Sequence, residues 1–387
     1  MKRKLSLFIS TVLLTIILGT GFVNAVEFDI PAKSAILIDA KTGQVLYEKE
    51  AHKKLPPASI TKIMTLLLAM EAIERGEASL NDMVSISKRA ESMGGSQIYL
   101  STRDRLPLKT LLKAITVASA NDACVAVAEY LGGTEENFVR MMNKRARELG
   151  MVNTHFVNST GLPAENHYTT AYDISLMARE LIKYKEIRKW ARIWHETIQL
   201  HDGKRSITNT NTLIKSYPGI DGLKTGHTSE AGYCLVASVE RDGFRLISVV
   251  MNTASEQQRN EASARLLDYG FRVFEHKVVV KENETVKDIP IQKGKKQTVD
   301  AYTAKSLQVV VFKGTSNQLR REIKPLGKSA PISKGEKVGE LIVYQGEKEL
   351  GRVDLLASED VEKANIFILF FRWLWKLILD LIGQLKK

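Results

Sequence analysis

Cysteine is almost missing from this chain: Cys124 and Cys234 are the only two in 387 residues. They are too few and too far apart for a disulfide framework, and their spacing matches no zinc motif. Both fall in apolar stretches, which suits buried free thiols. Histidine is also scarce, and His195-Glu196 followed by His201 lacks the i, i+4 pair of a zinc hydrolase. No metal and no cofactor are expected. No basic stripe is interleaved with aromatics, which make up 7% of the chain, so nucleic acid is a poor partner for its formal charge of +12. No apolar run reaches the roughly 20 residues that a membrane-spanning helix needs.

What is present begins with Met1-Lys2-Arg3-Lys4, an apolar run from Leu5 to Leu18, and small residues at Gly19, Gly21 and Val23-Asn24-Ala25. This is the pattern of a secretory leader, residues 1–25, cut after Ala25. Loss of Lys2, Arg3 and Lys4 leaves a charge of +9. For an exported protein such an excess points to anionic lipid or anionic wall polymer.

Residues 26–275 alternate strand-like and helix-like stretches, which argues a mixed α/β or α+β domain. "SAILIDAKTGQVLYEKE" reads as strand, turn, strand, and "SITKIMTLLLAMEAIERG" as a helix stopped at Gly76. "LPLKTLLKAITVASANDACVAVAEYLGG" reads as two helices interrupted at Ser119 to Asn121. "AGYCLVASVERDGFRLISVVM" is a hairpin about Arg241-Asp242-Gly243. In residues 276–359 the helical period vanishes, and short alternating runs such as "LQVVVFK" and "GELIVYQ" predict a second, all-β module. Residues 360–387 read as helical again and rich in aromatics.

The tripeptide KTG occurs twice. Lys41-Thr42-Gly43 sits between two strand patterns and reads as a hairpin turn. Lys224-Thr225-Gly226 instead runs along a strand, where a glycine lets a ligand approach the backbone. Ser59-Ile60-Thr61-Lys62 is S-x-x-K at the opening of a long apolar helix, which puts Ser59 and Lys62 one turn apart on one face. Apolar neighbours disfavour the charge of Lys62, and a partly neutral lysine beside a serine is a base beside a nucleophile. Taken alone, the same pattern reads as a plain helix cap and a surface lysine. Ser119-Ala120-Asn121 is S-x-N in a stretch where Asp122 is the only charge, so its polar groups are buried at a cost unless bonded. The alternative there is a satisfied turn between helices. Second copies, S-x-x-K at Ser85 to Lys88 and S-x-N at Ser79 to Asn81, lie in charged, exposed surroundings and are set aside.

S-x-x-K, S-x-N and K-T-G in that order are the motif set of penicillin-binding proteins and related β-lactamases. On these residues, and on "NSTGLP" and "DGLKTGHTSEAGYC", the chain resembles the D-alanyl-D-alanine carboxypeptidase branch of the low-molecular-mass penicillin-binding proteins. The resemblance implies a β-lactamase-like catalytic domain followed by a small all-β domain. It implies Ser59 as nucleophile on the penultimate D-Ala carbonyl, Lys62 as base, and Ser119 as relay to the leaving amine. Asn121 would hold Lys62 and the substrate amide. Lys224, with Thr225 and Thr228, would take the terminal carboxylate, and Gly226 and the His227 backbone would line the site and its oxyanion hole. Peptidoglycan stems ending in D-Ala-D-Ala would be substrates, and β-lactams covalent inhibitors. No E-x-x-L-N segment lies between Ser119 and Lys224, the nearest candidate being Glu165-Asn166, which makes a β-lactamase the runner-up. An endopeptidase shares the three motifs, and a non-catalytic wall-binding scaffold is the alternative of a different kind.

The tail "ANIFILFFRWLWKLILDLIGQLKK" has polar breaks at Arg372, Lys376, Asp380 and Gln384, every fourth residue, so a helix would carry one narrow polar stripe. That suits a helix lying in a membrane interface, with Trp373 and Trp375 near headgroups and Lys386-Lys387 on anionic lipid. The alternative is a helix docked on the protein's own core or forming an oligomer seam.

Overall fold

A computed structural model describes residues 28–315 and 318–385; the leader expected at 1–25 and the final Lys386-Lys387 lie outside the described residues. From Ala32 onward the chain forms one compact unit. Its central sheet has five strands, β1 (Ser34–Asp39), β2 (Val45–Lys49), β3 (Ile220–Thr228), β4 (Gly232–Arg241) and β5 (Phe244–Thr253). They run in the order β2-β1-β5-β4-β3, antiparallel throughout. The hairpin read around Arg241-Asp242-Gly243 is the β4–β5 pair, and Gly43 (φ +77°) turns β1 into β2.

Helix α1 (Lys62–Glu74) is buried nearly all round, which is why its sequence is apolar on every face. Around it lie α2 (Leu108–Ala118), α3 (Asn121–Gly132), α4 (Glu135–Glu148) and α5 (Ala171–Leu181). Helix α6 (Lys185–Ala191) packs on β3, and α7 (Glu256–Val273) lies on the sheet. Strand β3 is an edge strand. Its outer side is covered by the short 3-10 turn Ala58–Thr61, and the approach is so close that a Cβ on Gly226 would meet Pro57 O at 3.0 Å.

Helix α7 ends at Val273, and strand Phe274–Val280 follows at once, so the boundary expected at 276 falls just inside a strand. That strand pairs with Leu307–Phe312. A second five-stranded antiparallel sheet runs Thr285–Pro290, Thr298–Thr303, Lys348–Ala357, Lys337–Gln345, Leu319–Pro325, with a core that includes Val299, Val311, Leu341, Val343 and Leu355. The β1–β2 turn meets this module: His276 Nε2 is 2.9 Å from Asp39 Oδ1, Gln44 Nε2 donates to Val310 O at 3.2 Å, and Lys41 donates to Gln308. Helix α8 (Ile366–Leu385) closes the described chain, and no helix among the described residues is long and apolar enough to cross a membrane.

Candidate active site

Ser59 stands in the 3-10 turn before α1, and Lys62 is the first residue of α1. One turn of helix brings Lys62 Nζ within 2.9 Å of Ser59 Oγ. Lys62 also donates to Thr160 O at 2.6 Å and is fully buried, whereas Ser59 is half-buried and opens to a cleft. Burial lowers the Lys62 pKa from 10.5 to about 8, with only partial opposition from Cys124 and Asp122. Ala58 holds a positive φ of 47°, and a Cβ on Gly161 (φ +84°) would lie 1.8 Å from Ala58 O. The "NSTGLP" loop is therefore clamped onto the turn that carries Ser59, and a glycine is required for it.

Ser119 ends α2 in the left-handed region (φ 62°, ψ 28°), and α3 begins two residues later. The break turns Ser119 into the cleft instead of continuing the helix. Asn121 donates Nδ2 to Gly94 O at 2.7 Å and its backbone N–H to Ser96 O at 2.7 Å. It does not bond Lys62; its Oδ1 is buried with no partner among the described residues. Asp122 accepts from the N–H groups of Ile98, Leu100 and Ala123, at 3.0, 3.0 and 2.8 Å. Burial pushes this carboxyl up, and those N–H groups pull it back. The S-x-N turn thus pins the segment that carries Ser96 to the cleft wall.

Along β3, Thr225, Gly226 and His227 line the cleft with Ser59, Ser96 and Ser119. Lys224, the residue before them on the strand, is 1% exposed and donates to Thr225 O at 3.2 Å. Burial, with the Lys62 ammonium close by, pushes its pKa well below that of an ordinary lysine. Thr225 Oγ1 donates to Thr210 Oγ1 at 2.6 Å, and the His227 ring lies 4.0 Å from that of Tyr233. Thr228 faces the β3–β4 turn, where its Oγ1 accepts from Ala231 N at 3.0 Å, and is not in the cleft wall.

The cleft, about 400 Å³, has a cation that the sequence did not single out. Arg259 lines it, only 3% exposed, bonded to Glu256 at 3.1 Å and to Asn260. "EQQRNEASARLL" reads as a charged surface helix, which hid it. One signal was available: an arginine in the first turns of a helix sits at the wrong end of the dipole, and something else must hold it there. His167 was missed as well. Its Nε2 is 2.9 Å from Thr61 Oγ1 and burial lowers its pKa to about 4, so it is a neutral prop beneath the nucleophile turn. Glu165 and Asn166 are exposed and outside the cleft wall. Cys124 and Cys234 are buried free thiols.

A serine bonded to a buried lysine of lowered pKa, in a cleft between a helical cluster and the edge of an antiparallel sheet, is the equipment of a serine acyl-enzyme hydrolase. Residues 22–255 match the family model described as D-alanyl-D-alanine carboxypeptidase, and residues 274–363 that of the penicillin-binding protein 5 C-terminal domain. D-alanyl-D-alanine carboxypeptidase DacF of Bacillus subtilis is 41% identical over 96% of this chain and 97% of its own. The crystal structure of penicillin binding protein 5 from Haemophilus influenzae superposes with a TM-score of 0.78 at 29% identity, over 88% of this chain and 100% of that one. Penicillin-binding protein D2 of Listeria monocytogenes, in its ampicillin-bound form, superposes with a TM-score of 0.57 at 31% identity, over 62% and 98%. The chain belongs to the D-alanyl-D-alanine carboxypeptidase family and is a serine-type carboxypeptidase of the low-molecular-mass penicillin-binding-protein class.

Proposed function

We propose that Ser59 is the nucleophile and Lys62 its base, removing the terminal D-Ala from peptidoglycan stems through an acyl-enzyme. The observation that carries this is the 2.9 Å contact between Ser59 Oγ and a fully buried Lys62 whose pKa is about 8. Ser59 Oγ attacks the carbonyl of the penultimate D-Ala as its proton passes to Lys62 Nζ. The carbonyl–nitrogen bond then breaks and Ser119 passes a proton to the leaving D-Ala amine. Water hydrolyses the ester, and Ser59 recovers its proton. Backbone N–H groups of Ser59 and His227 meet the oxyanion. The unpartnered Oδ1 of Asn121 accepts from the substrate amide.

The substrate carboxylate is met by Thr225 and by Arg259, which line the cleft, with Lys224 buried beside Thr225. A β-lactam, which imitates D-Ala-D-Ala, acylates the same serine. The exposed Glu165 gives no deacylating carboxylate at the acyl ester, which favours the carboxypeptidase over a β-lactamase. The chain divides into a leader at 1–25, a catalytic domain from 26 to about 275, a β module to 359 and a terminal helix.

The leader exports the protein, and α8 holds it on the outer face of the membrane. Support for the second point is that Phe367, Phe370, Phe371, Trp373 and Trp375 are each more than half exposed. Arg372, from the polar stripe, donates to Gly294 O and Lys295 O at 2.7 Å. The helix therefore meets the β module by its polar side and leaves aromatic surface free. The test is to incubate the mature protein with labelled penicillin and a pentapeptide stem. A slowly released adduct on Ser59 together with free D-Ala is expected; rapid penicillin turnover without D-Ala would overturn the reading.

A further inference from the structure

Charge is unevenly balanced over this molecule. In the C-terminal module cations stand against carboxylates, as Lys296 on Glu359, Lys328 on Glu336 and Lys337 on Asp354. The stretch through α6 is different. Lys185, Arg188, Lys189 and Arg192 recur at i, i+3, i+4 and i+7, which is one face of a helix. Arg188 is half-buried and the other three are exposed. Among the described residues none of these four side chains has an ion pair or hydrogen bond. Like charges at i, i+4, as in Lys185 with Lys189 and Arg188 with Arg192, disfavour the helix.

These cations line a groove of about 270 Å³ whose two carboxylates are already engaged. Arg245 Nη1 reaches both oxygens of Asp221 at 2.8 Å, and Nη2 pairs with Glu240. Glu186 lies about 100° round the helix from Lys185. Arg192 also lines the adjoining groove with Lys215, whose ammonium sits 4.6 Å over the Trp194 ring. The face begins at the catalytic cleft: Asn209, a cleft residue, donates Nδ2 to Ala191 O at 3.0 Å and Ile193 O at 2.8 Å.

We propose that this face binds a phosphodiester polymer of the cell wall and holds the enzyme along it with the cleft alongside. A row of cations at fixed spacing, prolonged by Lys215, suits a chain rather than a single small ion. Guanidinium forks match phosphate oxygens, and binding of this kind is driven by counterion release. The proposal rests on the reading that the protein is exported, but not on the roles given to Ser59 and Lys62.

The probe is labelled, lipid-free poly(glycerol phosphate), titrated with the mature protein between about 50 and 200 mM salt. Arg188→Glu with Arg192→Glu is compared with Lys295→Glu with Lys296→Glu, an equal change of net charge elsewhere. The first pair should weaken binding by about tenfold or more and flatten its salt dependence, and the second by much less. Penicillin acylation and D-Ala release from a soluble peptide should be unchanged in both, which confirms folding and keeps the catalytic reading separate. Equal losses in the two variants would reduce the effect to net charge and sink the proposal. So would an absence of binding by the unaltered protein at the lower salt. The same applies if Arg188→Glu with Arg192→Glu spares polymer binding and weakens binding to anionic phospholipid vesicles instead, since the partner would then be the membrane.

Discussion

The base role proposed for Lys62 rests on its burial, and burial is expensive for a lysine. Its folded pKa is about 8 against 10.5 for a solvated lysine, a difference of about 3 kcal/mol between its two forms. Between those values the unfolded chain holds a proton that the folded chain does not, so folding stability rises with pH across that window. At pH 7 the charged amine is a burden. Lys62→Met should therefore unfold at an equal or higher temperature than the unaltered protein at pH 7, and the difference should shrink as pH approaches 10; thermal melts across that range decide it. The same variant should lose penicillin acylation by about 10²- to 10⁴-fold. In the unaltered enzyme the acylation rate should climb to a plateau above about pH 8, and a flat profile would count against Lys62 as base. Arg259→Gln should lower kcat/KM for D-Ala release about ten- to a hundredfold, as expected for one charge-assisted contact, and steady-state assays read it.

Two turns do different work. In the first KTG, Asp39 accepts from Thr42 N at 2.7 Å and from Thr42 Oγ1 at 2.6 Å, while Arg179 ties down Ala40 O and Lys41 O. A Cβ on Gly43 would come 2.5 Å from Arg179 Nη1. Gly43→Ala should destabilise by about 1–2 kcal/mol, from positive φ and the displaced arginine, whereas exposed Lys41→Ala should stay within about 0.5. Denaturant unfolding separates them, and D-Ala release should change in neither. This turn is also more than a surface feature, since it seats the β module through Asp39, Lys41 and Gln44. At the S-x-N turn, Ser119 accepts left-handed strain of about 1 kcal/mol to aim its hydroxyl. Ser119→Gly should be as stable or more so and yet much slower in releasing D-Ala; retained activity would remove the relay role.

At the scale of the molecule, α8 touches the β module through a polar contact and presents its aromatics outward. Truncation after Asp360 should then release a protein that no longer sediments with washed membranes but binds penicillin and cleaves small substrates as before. Retention on membranes would show that the tail is not the anchor. Among the described residues the cleft draws none from beyond Arg259, so altering the β module should leave penicillin acylation and D-Ala release unchanged.

The linear order already determined the two folding modules, the S-x-x-K pair and which KTG is a strand. These follow from local rules: a serine and lysine three apart on a helix must face one another, and hydrophobic period reports strand or helix. Tertiary structure decided the rest. Lys224 became a buried neighbour of Lys62, Thr228 turned into its hairpin, and Arg259, about 200 residues from Ser59, arrived in the cleft wall. None of this has a local signature, because burial and electrostatic neighbourhood depend on which distant segments pack together. The pKa of Lys62 is the plainest case: its apolar helix foretold the direction, while burial by distant segments, opposed by Cys124 and Asp122 on α3, set how far it moves.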